Sequence, residues 1–479
     1  MDSTQPVTVD ALPPELLRQI FADLDGPAPS DHRLHDQPAG DMLRDPDCML
    51  KNISLVNKRW RVIVMPLLFR HVVWSLEHCD QLLAKPSEDA DPADQVPVLA
   101  FLRANDLARH VQSFTVIVCG GMTPVMPPTP AMAAPSPTAS VISYSEDNDW
   151  LWDMLFRVVD PLRLTIIASP QNLARLLGCS IFVGDADFFA TGERLHILSL
   201  ARDGRSPATS KIPLQPTPST SQCLAGGDRK HATNALVTIR PWTRLLLNEN
   251  SSICVYRSYH YFHRRPPSIL SHMLHGWEDD APPGRGRAFT VPPTVTSLSY
   301  VAIFPLVSQL RQLVQHLPRA VEHLYLQIVP RNDILLDKHE MYHVQAPDLW
   351  LERSDCYDLV LRKLLARPRT PPPVMPDAGN DGGGDGDGDG QAANGGVDGP
   401  SSEAAARENG PCLRTFETGD WPDAEVWQSA VRFAHEHRTG WVVERKGTFV
   451  RGPLPTDESD ESDLDEEQMT EWLGIGLFS

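Results

Sequence analysis

Residues 295–326 read VTSLSYVAIFPLVSQLRQLVQHLPRAVEHLYL, and their apolar pattern decides the fold class. The same spacing of three apolar residues, at positions i, i+3 and i+5, occurs at both ends, as Val295/Leu298/Tyr300 and Val321/Leu324/Leu326. Between the two ends, LVSQLRQLVQHLP repeats apolar residues at intervals of three and four, which is typical of an amphipathic helix. The stretch therefore predicts strand, helix and strand in succession, an arrangement that favours parallel pairing in an α/β domain.

Two further copies of this strand pattern occur earlier, at Val111/Phe114/Val116 and Leu195/Leu198/Leu200. The two copies within residues 295–326 start 26 residues apart, which lies inside the period of leucine-rich repeats. Stretched units of the same kind are predicted as helix 149–160, strand 162–168, helix 171–178, strand 413–416, helix 423–438 and strand 441–445. We therefore predict a leucine-rich-repeat-like strand–helix array of the α/β class, with irregular repeats and insertions.

The alternative fold for this alternation is an ordinary doubly wound α/β domain. The sequence contains no glycine-rich strand-to-helix turn of the dinucleotide-binding or P-loop kind. This favours the repeat array over the doubly wound domain. It also gives no motif support for a nucleotide-dependent enzyme.

The amino-terminal region carries a second pattern, in residues 12–24 (LPPELLRQIFADL) and 50–73 (LKNISLVNKRWRVIVMPLLFRHVV). One helical stripe in the first block consists of Leu16, Leu17, Ile20, Phe21 and Leu24. Apolar residues also recur at helical spacing in the second block, and Pro66 is predicted to stop this helix. Because so few residues rarely build an independent core, we expect this module to be completed by a partner protein.

The order of residues in these two blocks resembles the F-box, on Leu12-Pro13, Glu15, Ile20-Phe21, Val56 and Trp60. The F-box is the small helical motif by which substrate receptors attach to a Skp-family adaptor and, through it, to a cullin-based ubiquitin ligase. The resemblance implies that the residues at or near the adaptor interface are Leu12, Pro13, Ile20, Phe21, Val56 and Trp60. An F-box followed by irregular repeats is also similar to fungal F-box proteins.

Residues 25–47 depart from the F-box pattern, because the family usually has a short connector at this point. The segment is rich in Pro, Gly, Asp and His, and we expect a surface loop. Such an insertion is tolerable because the entropic cost of loop closure grows slowly with loop length.

The predicted organisation has five parts: an F-box-like helical module at 1–75, a leucine-rich-repeat-like α/β domain at 95–366, a low-complexity linker at 367–411, a strand–helix–strand unit closing the array at 412–455, and an acidic tail at 456–479. Insertions that we expect to stay unfolded lie at 122–140, 201–234 and 279–294. Their polar or proline-rich composition buries too little apolar surface to offset chain entropy.

Composition limits the classes of function. Six acidic residues lie at 377–398 and nine at 456–479, and without these fifteen the formal charge of −19 falls to −4. The rest of the chain therefore lacks the broad basic excess of a general nucleic-acid binder. No apolar run has the length of a membrane span. The eight cysteines lie singly, as expected for reduced thiols of an intracellular protein, in the nucleus or the cytoplasm.

Several histidines and acids have the spacing of metal ligands. His339, Glu340 and His343 fit His-Glu-x-x-His, which on a helix would present two imidazoles to zinc beside a general base. Pro347 and the loop-like sequence before the motif argue against such a helix. The pairs His260/His263 and His272/His275 and the run Asp385/Asp387/Asp389 lack further ligands in sequence, and the calcium-loop position for a bidentate Glu holds Gly396. We predict no metal and no cofactor.

Residues 256–265 (YRSYHYFHRR) concentrate aromatic and basic side chains. Such side chains dominate binding hot spots, so the candidates for target binding are Tyr256, Tyr259, Tyr261, Arg264 and Arg265. In the alternative reading the aromatic rings fill the edge of the core while the arginines are solvated. Stacking on single-stranded bases is a third reading.

These patterns together lead to one functional expectation, which depends on the F-box resemblance. The protein is expected to be a substrate-recognition subunit of an SCF-type ubiquitin ligase, not a catalyst, with a Skp-family adaptor, a cullin and an unidentified target protein as partners. A scaffold that has the box but assembles no ligase is the alternative. A zinc hydrolase using His339 and His343 is a remote one.

Overall fold

Ten strands join into one mixed sheet in the computed structural model. The model describes residues 9–26, 28–43, 48–83, 91–120, 141–144, 148–190, 192, 194–204, 235–275, 291–366, 412–437 and 439–452. The strands are His71–Leu76 (β1), Ser113–Val118 (β2), Val141–Ser143 (β3), Arg163–Ala168 (β4), Ser180–Phe182 (β5), His196–Ala201 (β6), Arg244–Ser251 (β7), Ser297–Ile303 (β8), His323–Gln327 (β9), Thr415–Thr418 (β10), Trp441–Arg445 (β11) and Thr448–Arg451 (β12). Strands β3 and β5 form a separate antiparallel pair.

The large sheet has the order β1-β2-β4-β6-β7-β8-β9-β10-β12-β11. Up to β10, the strands of this sheet follow one another in chain order, with only β3 and β5 outside it, so the order does not reverse in the middle as it does in a doubly wound sheet. Most neighbours pair in parallel, but β6 is antiparallel to both of its neighbours. The hairpin of β11 and β12 closes the far edge, also antiparallel.

The α-helices are Pro14–Asp23 (α1), Pro29–His32 (α2), Met49–Ile53 (α3), Lys58–Leu68 (α4), Asp80–Leu83 (α5), Pro97–Ala104 (α6), Asp149–Val158 (α7), Pro170–Leu176 (α8), Ala235–Thr238 (α9), Leu270–His275 (α10), Val307–Gln315 (α11), Ala346–Val360 (α12) and Ala424–Glu436 (α13). A π-helical turn, Leu361–Leu365, continues α12. Among the described residues, no helix combines the length and the apolar character that crossing a membrane requires.

One face of the sheet carries the principal core. A register row runs across it through Val72, Phe114, Leu164, Leu200, Leu245, Leu298, Leu324, Phe416 and Phe449. Every member of this row is buried, together with apolar residues of helices α6, α7, α8, α11, α12 and α13. Because side chains alternate between the faces of a strand, the opposite face, called here the open face, carries the intervening residues.

Part of the open face is covered by residues 28–43, called here the strap. Leu34, Met42 and Leu43 are buried there against Ile117, Ile167, Ile197 and Leu246 of four strands. The expectation that residues 25–47 form a surface loop is therefore wrong for Leu34, Met42 and Leu43, which are buried in the core. These apolar side chains pack against an apolar row on the sheet, and the contact removes the apolar surface of both from water.

The units predicted between 149 and 178 and at the carboxyl end are confirmed, with bounds shifted by a few residues: α7, β4, α8, β10, α13 and β11. Strands β1, β7 and β12 of the large sheet were not predicted, and neither was the pair of β3 and β5. The predicted insertion at 122–140, most of those at 201–234 and 279–294, the linker at 367–411 and the tail at 456–479 lie outside the described residues.

Candidate functional site

The amino-terminal helices form a small core of their own. Leu17 and Phe21 of α1 are buried against Leu50 of α3 and against Ile63 and Val64 of α4. Two prolines at the start of α1 suit its first turn, where a backbone N–H has no partner within the helix. Helix α4 continues past Pro66 to Leu68, so the predicted stop at this proline is wrong. Strand β1 begins at His71, shortly after α4, and joins this module to the edge of the large sheet.

Helix α1 has an apolar stripe that is wider than the chain covers. Leu16, Ile20 and Leu24 are 46%, 43% and 44% exposed and follow one another at intervals of four, on one side of the buried Leu17 and Phe21. Buried and exposed apolar residues thus share one continuous face of the helix. An exposed apolar row beside a core is the geometry of a protein–protein contact surface.

The turn between α3 and α4 also exposes apolar side chains. Leu55 and Val56 are 73% and 60% exposed. The side chain of Asn57 accepts a hydrogen bond from the Trp60 backbone N–H at 2.8 Å and so caps α4. Arg59 donates to the backbone carbonyl of Leu12 at 2.5 Å, which holds the turn beside the start of α1.

The six candidate adaptor-binding residues divide into two groups. Pro13, Ile20 and Val56 are exposed, whereas Leu12 and Trp60 are half-buried. Phe21 is only 3% exposed, and its ring lies 5.3 Å from that of Trp60.

The assignment of Phe21 as an interface residue is therefore wrong in this structure, because Phe21 holds α1 onto α4 within the chain. The candidate set also omitted Leu16, Leu24 and Leu55, which are exposed. The spacing of four residues along α1 could have identified the first two.

A polar cavity of about 20 Å³ lies at the edge of the sheet where β7 ends and β6 begins. Its lining includes Arg194, His196, Glu249 and Gln309, all buried. Burial lowers the pKa of His196 to about 3 and raises the pKa of Glu249. The Glu249 carboxyl accepts hydrogen bonds from Tyr300 at 2.7 Å and Gln309 at 2.5 Å. The cavity has the size and the donors to hold one water molecule.

The His-Glu-x-x-His segment does not form the helix that a zinc site would need. Residues 338–343 are turns, and the backbone of His343 has a φ of 58°. The Glu340 carboxylate accepts a hydrogen bond from Arg194 at 2.5 Å. The segment therefore lacks the helical face that the zinc-hydrolase alternative requires. Across the described part of the chain, no three His, Cys, Asp or Glu side chains are grouped so that they could hold a metal ion.

The other metal-like pairs lie apart from any such group. The rings of His260 and His263 are 6.1 Å apart on an exposed loop. His272 is buried, and the side chain of His275 lies outside the described residues, as do Asp385, Asp387 and Asp389.

The aromatic and basic segment 256–265 is partly core. Tyr256 and Tyr261 are buried, and the hydroxyl of Tyr256 donates to the Phe304 carbonyl at 3.1 Å, so these two tyrosines are not available to a target. Arg264 pairs with Asp185 at 3.0 Å.

The remaining two candidates of this segment lie nearer the surface. The Arg265 guanidinium lies 5.1 Å from the ring centre of Phe182. Tyr259 is 86% exposed. Of the three candidate tyrosines, only Tyr259 offers its ring to a partner.

Comparison of the chain with protein families, with curated proteins and with solved structures found no match. The function therefore has to be argued from the geometry of the described residues.

Proposed function

We propose that this protein is the substrate-recognition subunit of an SCF-type ubiquitin ligase. In this proposal the helical module at residues 12–68 is an F-box that binds a Skp-family adaptor, which in turn binds a cullin. The observation that carries the proposal is the exposed apolar row of Leu16, Ile20 and Leu24. A row of exposed apolar side chains beside a small core is a surface that a partner protein can bury.

The proposed adaptor surface consists of Leu16 and Ile20 on α1, Pro13 and Leu24 at its two ends, and Val56 on the turn between α3 and α4. Binding by helical anchors concentrates the energy in a few apolar side chains that enter a groove. Phe21 and Trp60 take a different role in this proposal, because their contact sets the angle between α1 and α4. The five exposed side chains then keep fixed positions relative to one another.

The proposed receptor part is the large sheet with its helices, an irregular leucine-rich-repeat-like array. Its support is the strand order, in which the strands of the large sheet from β1 to β10 lie side by side in chain order. Stacked repeats contact mainly their neighbours and produce this order. The reversed direction of β6 is a departure from a regular array. A receptor of this kind works inside the cell and would hold a protein target.

The test is co-purification of the full chain with a Skp-family adaptor. Ile20→Asp introduces a charge into the apolar row, and we expect it to weaken adaptor binding more than tenfold. Arg18→Asp is the matched control, because Arg18 is exposed on the opposite side of α1 and the substitution changes the charge by more. Equal adaptor binding by wild type and Ile20→Asp would refute the assignment.

Recovery of a cullin in the same experiment separates a ligase from a scaffold. A ligase subunit brings cullin with the adaptor, and Ile20→Asp removes both. A protein that uses the adaptor contact alone recovers the adaptor without cullin. Either result keeps the F-box assignment, and only the first supports the ligase.

A further inference from the structure

The strap at residues 28–43 packs on a continuous apolar row of the open face. Leu34 of the strap is buried with Ile117 of β2, Ile167 of β4 and Ile197 of β6, and the cluster continues to Leu246 of β7. These four strands lie side by side in the sheet. The strap thus crosses four neighbouring strands on the face of the sheet opposite the principal core.

Polar groups of the sheet bind the backbone of the strap. The Asn248 side chain donates to the carbonyls of Leu34 and Asp36, each at 2.8 Å, and Arg163 donates to the carbonyl of Ser30 at 2.9 Å. The ring of His35 lies 4.4 Å from that of Tyr325 on β9. The sheet therefore contacts the strap as a protein contacts a bound peptide, through hydrogen bonds to backbone carbonyls and through a few side chains.

The strap has little internal structure that would hold it in place without the sheet. Its one helix, α2, has four residues, Pro29–His32. Elsewhere the strap is held together by contacts such as the one from Arg33 to the Met42 carbonyl at 2.5 Å. A segment this short is stabilised by the surface it covers, because helices of a single turn are unstable alone.

We infer that the open face is a binding surface for an extended peptide segment and that residues 28–43 occupy it in cis as a displaceable intramolecular ligand. The inference deepens the proposed function and rests on it only for the source of the competitor, which would be an extended, leucine-containing segment of the target protein. In the structure described here, the surface is closed to that segment.

Tethering makes the closure effective even when the contact itself is weak. A segment joined to its site by short connections has an effective concentration on the order of millimolar. If the free segment bound with a Kd of about 1 μM, the tethered copy would weaken a competitor roughly a thousandfold. Wild-type protein should then bind the same peptide in trans far more weakly than a chain without the strap.

The first experiment measures binding of a fluorescent peptide with the sequence of residues 28–43. The acceptor is the full chain in which residues 29–42 are replaced by a Gly/Ser linker of equal length. We expect binding at least tenfold tighter than to wild type, and no binding of a Leu34→Asp peptide, because Leu34 is buried among isoleucines. Equal affinity for both chains, or no binding to the folded linker variant, overturns the inference.

The second experiment uses folded wild-type protein and needs no deletion. Amide hydrogen exchange reports local opening, and a displaceable strap should exchange at least tenfold faster than β4 and β6, with which it packs. Exchange of the strap only together with these strands would mean that it is a permanent part of the core. That result overturns the inference.

A cross-link provides the matched control for hydrogen exchange. A Cβ atom at Gly40 would lie 2.8 Å from Sγ of Cys119, close to the roughly 3 Å that separates these atoms across a disulfide. In oxidised Gly40→Cys, we expect exchange of the strap to slow at least tenfold and to recover after reduction. No response to oxidation, once the disulfide is verified by mass, contradicts independent opening of the strap.

None of these readouts uses the adaptor, so the two proposals fail separately. Peptide binding without adaptor binding leaves the open-face inference standing and removes the ligase. Adaptor binding with no peptide binding does the reverse.

Discussion

The imidazole of His35 packs against the phenol ring of Tyr325, with ring centres 4.4 Å apart and ring planes inclined by 51°. The two residues are 290 positions apart in the chain, one on the strap and one on β9. The Tyr325 hydroxyl donates to Gln327 at 2.9 Å and accepts from Arg331 at 2.8 Å, which fixes the ring. This contact is a measurable link between the amino-terminal region and the far half of the sheet.

We expect the His35 and Tyr325 rings to be coupled by about 1 kcal/mol, the usual range for a pair of aromatic rings beyond their burial. The measurement is a double-mutant cycle in urea with His35→Ala, Tyr325→Ala and the double variant. Additive losses of stability would mean that the rings are neighbours without interacting. Tyr325→Phe serves as a control, because it keeps the ring and removes only the hydroxyl.

Stability should fall on mild acidification, partly through His35. Burial, followed by the nearby charge of Arg331, lowers the pKa of His35 to about 4. Between about pH 6.5 and 4 the unfolded chain takes up a proton at this position that the folded chain does not, so the free energy of unfolding decreases by up to roughly 3 kcal/mol. His35→Gln should have a flatter pH profile over that range, and an unchanged slope would contradict the prediction.

Buried and exposed positions of α1 should respond differently to truncation. Leu17→Ala leaves a cavity in the small helical core and should cost about 3 kcal/mol of stability. Ile20→Ala removes an exposed side chain and should cost less than about 1 kcal/mol. Thermal and urea unfolding of the two variants check the contrast. Equal losses would show that Ile20 is enclosed in solution.

Asp160 joins two buried arginines. One of its carboxylate oxygens accepts from Arg202 at 2.5 Å and from Arg240 at 2.7 Å, and both guanidinium groups are buried. Asp160→Ala leaves two buried charges without this partner and should destabilise the protein by about 3 kcal/mol. As a control, Asp358→Ala removes an exposed pair with Arg362 and should change stability little.

Purified protein should contain no stoichiometric zinc at His339 and His343. The segment 338–343 is made of turns, and Glu340 is bound to Arg194, so the ligands lack the helical face that zinc would need. Metal analysis after dialysis tests this directly. One zinc per chain that disappears in His339→Ala would show that the segment can rearrange into a site.

The confirmed elements are those in which one local pattern dominates. Helix α7 has an apolar stripe of helical period, and strand β4 is a short, almost continuous apolar run, and both were predicted. The direction of β6 could not be read, because alternation of two residues looks the same in either direction along the chain. Strand β7 was missed because its second half, Asn248–Ser251, is polar yet buried.

The division of the α1 stripe into buried and exposed halves was also beyond the sequence. Amphipathic spacing marks a face, but it does not say how much of that face the same chain covers. The strap was misread for a related reason. Its few apolar residues, such as Leu34 and Met42, are buried because they pack against a row of isoleucines on the sheet, and this contact is not visible in the local sequence.

The span between His35 and Tyr325 also matters during synthesis. The ribosome synthesises His35 of the strap some 290 residues before Tyr325 of β9, against which the His35 ring packs in the folded chain. Until then the nascent amino-terminal helices lack this anchor, and a chaperone or an early-bound companion could shield them. A polypeptide truncated before β9 would therefore contain the amino-terminal helices but lack the contact between His35 and Tyr325.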